Sequence, residues 1–280
     1  MSVVGPGTKL VFCEGKPDSL DAALLNELVT KANVLIVPAG GKQGLRAFID
    51  GYLARYGNTP PQFIAFRDRD FDVRPSDIPA LQALPGSKPV FASHCSCVES
   101  YLLEPEILHM YWLERSQDPD GRRGETPPVA EIAQWMEESA REIRDYQAVR
   151  WALAALKPGP RWPEVRTTWT EGSGHLPDSL AMDQCTENAL ALVTQYGDQT
   201  AGVNERALRE RVEQFARQFE SDSFWQQRLY RVWFHGKDLC KAMQRQRPND
   251  ISLRHFFQWA AKEADLLAHP DLKQLADKLN

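Results

Sequence analysis

Short apolar runs alternate with four-residue apolar spacings through the first third of the chain. Lys9–Cys13 reads as a strand, Leu20, Leu24 and Leu28 mark one helix face, and Val34–Val37 is a second strand. A second helical stretch over Leu45–Tyr56 precedes two further strand runs, Phe63–Phe66 and Pro89–Ala92. This alternation predicts an α/β fold: a small, mainly parallel sheet flanked by helices, with functional groups gathered just after the strands.

From Val98 onward the strand pattern gives way to helical periodicity. Ile132, Trp135, Met136, Ile143 and Tyr146 share one face, Leu208, Val212, Phe215 and Phe219 another, and Leu253, Phe256, Phe257 and Ala260 a third. The second half is therefore expected to be all-helical. Two stretches rich in Pro and Gly interrupt it, Ser116–Pro128 and Lys157–Asp178. The first supplies the expected boundary, dividing the chain into 1–116 and 117–280.

Composition narrows the function classes. Over 280 residues, 33 Lys and Arg stand against 38 Asp and Glu, and 42% of residues are hydrophobic, which excludes a disordered chain. No apolar run approaches the ~20 residues that cross a bilayer, so no membrane association is expected. Five scattered cysteines and a start without a basic-then-apolar leader fit a reduced, cytoplasmic protein. His94, Cys95 and Cys97 lack a second ligand pair at zinc spacing and read as ordinary thiols and a histidine, His94 lying near the strand-end site.

Charge becomes informative where it clusters. The first strand runs into Cys13-Glu14-Gly15 and the third into Arg67-Asp68-Arg69-Asp70-Phe71-Asp72. If the third segment stays extended, Asp68, Asp70 and Asp72 share a face. Three crowded carboxylates repel one another unless a cation neutralises them, and hard oxygen ligands suit Mg²⁺ or Mn²⁺. Pairing with Arg67, Arg69 and Arg74 is the purely structural alternative.

Over residues 8–115 the stretches LVFCEGKPD, VPAGGKQGL, FIAFRDRDFD and CVESYLLEPEIL, in that order, resemble the TOPRIM domain of topoisomerases, primases and the overcoming-lysogenization-defect nucleases. The resemblance is strongest to standalone TOPRIM effectors that accompany ABC-type ATPases in bacterial anti-phage defence, and HGKDLC is similar to that family's later Gly-Lys-Asp segment. It implies a TOPRIM metal-binding domain in 1–116 and a helical domain in 117–280 that completes the site. Glu14, Asp68 and Asp70 would bind metal and take part in catalysis, with Asp72 and Glu99 as further acidic ligands and Lys237 as the catalytic cation. It also implies an ATPase partner, and allows a homodimer.

Basic candidates complete the reading. Lys42 follows a Gly-Gly pair after the second strand, where a phosphate can be held, although GGKQ lacks the features of an ATP-binding loop. Residues 223–254 hold seven basic against two acidic side chains, among them Arg231, Lys241 and Arg245, interleaved with Trp233 and His235; this is a nucleic-acid-binding pattern. Trp162–Trp169 is a loop on which a partner could dock. The expectation is an Mg²⁺-dependent nuclease acting on DNA or RNA, and the alternative is a catalytically silent TOPRIM module that binds nucleic acid or an ATPase.

Overall fold

The computed structural model describes residues 7–41, 44–57, 59–116, 125–156, 165–197 and 203–280. In chain order the elements begin with β1 (Lys9–Cys13), α1 (Leu20–Leu28), β2 (Val34–Pro38), α2 (Leu45–Leu53), β3 (Phe63–Arg67), β4 (Gln82–Ala83), β5 (Val90–Ala92) and α3 (Val98–Leu102). Helices follow: α4 (Pro105–Ser116), α5 (Val129–Ala155), α6 (Met182–Gly197), α7 (Glu205–Glu220), α8 (Asp222–Gln226), α9 (Tyr230–Trp233), α10 (Gly236–Gln246), α11 (Phe256–Glu263) and α12 (Pro270–Leu279). An N-terminal, mainly parallel five-stranded sheet with flanking helices is thus followed by a largely helical half.

The sheet order is β2-β1-β3-β5-β4. β1 pairs in parallel with β2 and β3, and β3 with β5; only the two-residue β4, which the apolar pattern did not reveal, runs antiparallel. The register sets Cys13 opposite both Pro38 and Phe66. Alternation explains why these runs are apolar throughout. Leu10, Phe12, Ala65 and Val90 pack with Leu45 and Ile49 of α2, while Val11, Cys13 and Phe66 are buried on the opposite face.

The residues form two compact units: Met1–Arg69, Pro75–Leu102 and Arg254–Asn280 in the first, Asp70–Arg74 and Leu103–Leu253 in the second. This grouping differs from a division at 116/117, because α11 and α12 belong with the sheet. Polar bonds fix that return. Asp271, at the start of α12, accepts from the backbone N–H of His94 (2.9 Å) and from the Tyr101 hydroxyl, and Asn280 accepts from the Thr30 N–H (2.8 Å). Lys278 also stands over the Phe91 ring of β5. Of the expected apolar face, Phe256, Phe257 and Ala260 lie in α11 while Leu253 precedes the helix, and periodicity does not say which core the helix joins.

In the second unit, α5 packs against α6, α7 and α10. Its core is aromatic: Trp151 packs tilted against Phe215 and edge-on against Trp233, and Phe219 meets Phe224 and Phe234. Every element of this unit is a helix among the described residues.

The turn leaving β1 has no room for a side chain. Gly15 has φ +81°, and a Cβ there would lie 2.4 Å from Ser19 Oγ, the N-cap of α1. Gly15→Ala is expected to cost about 1–3 kcal/mol in urea unfolding. Gly41→Ala, where a Cβ meets nothing within 4 Å, should stay within about 0.5 kcal/mol of the parent.

Candidate functional site

β1 leads to its neighbour β2 on one side, and β3 lies on the other, so the strand order reverses between β1 and β3. In open α/β sheets the crevice at such a switch point, beyond the carboxyl ends of the strands, is where ligands bind. Glu14 leaves β1 and Asp68 leaves β3 at this edge. The Glu14 carboxylate is 3.9 Å from the Arg67 guanidinium, with both side chains largely buried. Asp68 is 7% exposed, and its Oδ1 accepts the Val98 N–H (2.9 Å) at the first turn of α3. The same helix carries Glu99, also buried, as its second residue.

Backbone pairing stiffens this edge. Gly15 and Gly40 exchange N–H to C=O bonds of 2.6 and 3.0 Å, and the Ala39 N–H donates to the Cys13 carbonyl (2.8 Å). The turns after β1 and β2 are therefore tied to each other. Burial, helped by Asp21 and Glu14, pushes the Cys13 thiol up to about 12, so it stays protonated and is no nucleophile at neutral pH. Lys42 lies outside the described residues, as does Trp162.

The third strand does not stay extended past Arg67, which corrects the expectation that Asp68, Asp70 and Asp72 share a face. Arg69 is fully buried, its N–H bonded to Ser93 Oγ (3.0 Å) and its Nε to the His94 carbonyl (3.1 Å). Asp70 then turns into the left-handed region at φ +49°, and residues 70–72 form a turn. Asp is one of the few residues that tolerates this conformation. His94 follows β5 as expected, 3.4 Å from Ser76 Oγ; burial lowers its pKa, Arg69 adds to that, and Asp271 opposes it.

Asp70 belongs to the second unit, where sequence reading missed a buried polar network. Asp238 is fully buried against Arg150 of α5. It also accepts from Gln147 Nε2 (2.7 Å) and the Gly174 N–H (2.7 Å). Burial alone would raise the Asp238 pKa, but Arg150, His235 and these N–H donors outweigh it and hold the carboxyl below its ordinary value. Arg150 also reaches the Thr167 carbonyl and Ser173 Oγ, pinning the 167–174 loop, and stacks 4.2 Å over Phe71. Nothing in the local sequence marks Arg150 and Asp238 as partners, since 88 residues separate them.

The basic candidates divide by partner. Arg231 pairs with Glu104 and is not a solvated cation. Arg245 donates to the Pro177 and Asp178 carbonyls, which leaves its charge uncancelled. Lys237 and Lys241 are exposed, and with Arg245 they recur every fourth residue along one side of α10. Trp169 packs edge-on against Tyr146 at 5.5 Å instead of standing out as a docking surface.

Glu14 and Asp68 are hard oxygen donors, and one or two carboxylates completed by water are the usual holders of Mg²⁺. The donor chemistry at the switch point fits such an ion. Among the described residues, no three His, Cys, Asp or Glu side chains are grouped as a ready metal site, and no helix is long and apolar enough to cross a membrane. The sequence matches no protein-family model and no curated protein.

The Arg150–Asp238 pair should dominate the stability of its unit. Asp238→Asn, which leaves Arg150 buried without a counter-charge, is expected to cost about 3–5 kcal/mol at pH 7. A depressed pKa contributes stability above the ordinary carboxylate range that is lost as pH falls through the folded value. The gap between wild type and variant should therefore narrow below about pH 4 in urea melts; a gap independent of pH would contradict this assignment.

Proposed function

We propose that the chain is a divalent-metal-dependent phosphodiesterase that hydrolyses DNA or RNA. What carries this reading is the placement of Glu14 and Asp68 at the carboxyl ends of the two strands flanking the switch point. Mg²⁺ or Mn²⁺, when bound, would supply positive charge to phosphate oxygens and acidify a water. Glu14 and Asp68 would hold the ion, and the TOPRIM resemblance implies Asp70, Asp72 and Glu99 as further acidic ligands. The Gly15–Gly40 bridge keeps the Glu14 turn from relaxing away. The same resemblance implies Lys237 as the cation that neutralises transition-state charge, and Lys241 and Arg245, on its face of α10, would suit a phosphate backbone.

One observation favours a second reading, a catalytically silent module that binds nucleic acid or an ATPase: the described residues contain no ready three-ligand group. Cleavage assays on plasmid, single-stranded DNA and tRNA separate the two. Wild type should cut at least one substrate with Mg²⁺ and none with EDTA. Glu14→Gln and Asp68→Asn, the latter chosen to keep the acceptor for Val98 N–H, should each lower the rate by at least ~100-fold with the fold intact. Lys237→Ala should lower it on the same scale with little change in metal affinity. Binding without cleavage in wild type selects the silent module, and full activity in both acid variants contradicts the proposed chemistry.

The resemblance to TOPRIM effectors further implies an anti-phage effector controlled by an ABC-type ATPase, and GGKQ lacks the features of an ATP-binding loop of the chain's own. Failure of the two to co-purify in any nucleotide state would remove that part of the proposal.

A further inference from the structure

His235 is 3% exposed, and beyond its pull on the Asp238 carboxyl nothing above uses its ring. The ring is held from several directions within the second unit. Its backbone N–H donates to Gln147 Oε1 (3.2 Å), its face stacks on Phe71 with centroids 6.1 Å apart and planes at 24°, and its Nδ1 accepts the Lys237 N–H (3.3 Å) at the start of α10. An Nδ1 that accepts a hydrogen bond carries no proton, which places the ring proton on Nε2. Nε2 lies 3.3 Å from Asp70 Oδ1.

We infer that His235 is a positioning residue for Asp70: its Nε2–H holds the Asp70 carboxylate, and through it the left-handed turn that follows Arg69. The inference rests on the proposed function only in giving that carboxylate a metal to bind. The geometry favours orientation over structural filling. The ring edge facing Asp70 is polar, whereas the ring face against Phe71 already satisfies packing. Asp70 itself sits at φ +49°, where a side-chain anchor selects one conformer of a turn. Outer partners of this kind commonly set the orientation of a carboxylate that holds a metal.

Two measurements on the full chain test the inference. The first needs neither metal nor activity: two-bond ¹H–¹⁵N spectra of the histidine rings, with His235 assigned by its loss in His235→Gln. The Nε2–H tautomer is expected in wild type, with its Nε2 resonance displaced in Asp70→Ala. An Nδ1–H ring, or a resonance indifferent to Asp70→Ala, would overturn the inference. The second is Mn²⁺ titration of folded protein. His235→Phe keeps the stack on Phe71 but loses both nitrogens, and should weaken Mn²⁺ at least ~10-fold; His235→Gln restores an N–H near Nε2 and should stay within ~3-fold of wild type. Equal affinity in wild type and His235→Phe, or equal losses in both variants, would contradict it. A wild type that binds no Mn²⁺ refutes the metal reading, while the ring spectra still decide the role of His235.

Discussion

Parallel pairing of β1 with β3 is the constraint on which the first unit depends. Parallel strands begin at one edge of a sheet and end at the other, so whatever follows Cys13 and Arg67 must leave the sheet at the same edge. Two acidic residues separated by 54 positions are thereby brought to neighbouring strand ends. The pairing in turn depends on both faces being dry. Leu10 and Phe12 on one side, and Val11 and Cys13 on the other, are fully buried, and α11 and α12 return from the end of the chain to the sheet unit. Asp271 is the hinge of that return, since it satisfies the backbone of the β5–α3 loop from the first turn of α12.

A different economy governs the helical unit. Its aromatic core surrounds Arg150 and Asp238, and the buried pair is retained because Gln147, Gly174, Thr167 and Ser173 supply further hydrogen-bond partners. Such a network specifies geometry more than it adds stability. It fixes the start of α10, which in turn presents the His235 ring to Asp70 and leaves Lys237 at the surface.

Much of the sheet was legible because both-face burial writes itself as a continuous apolar run. Lys9–Cys13 begins and ends where the pattern placed it, and the other long strands differ by a residue at an end. The turn after Arg67 was not legible. Alternating acids and bases look extended, and only the fully buried Arg69, bonded across to Ser93 and His94, reveals why the chain turns there. Amphipathic faces gave α5, α7 and α11 without saying which core each would join. The Arg150–Asp238 pair was hidden for a related reason: a charged residue in a helix usually faces water, and burial by a distant partner leaves no local signature. Of the basic candidates, Arg231 was grouped with a nucleic-acid-binding pattern, and its pairing with Glu104 could not be read locally because 127 residues separate the two.

The most direct test of the central claim, that the strand-end acids hold a divalent ion, is anomalous diffraction from crystals of the full chain soaked in Mn²⁺. The account predicts a manganese peak within coordination distance of both the Glu14 and Asp68 carboxylates, absent in a Glu14→Gln, Asp68→Asn double variant. Density at that edge with no manganese, at concentrations that support cleavage, would contradict it.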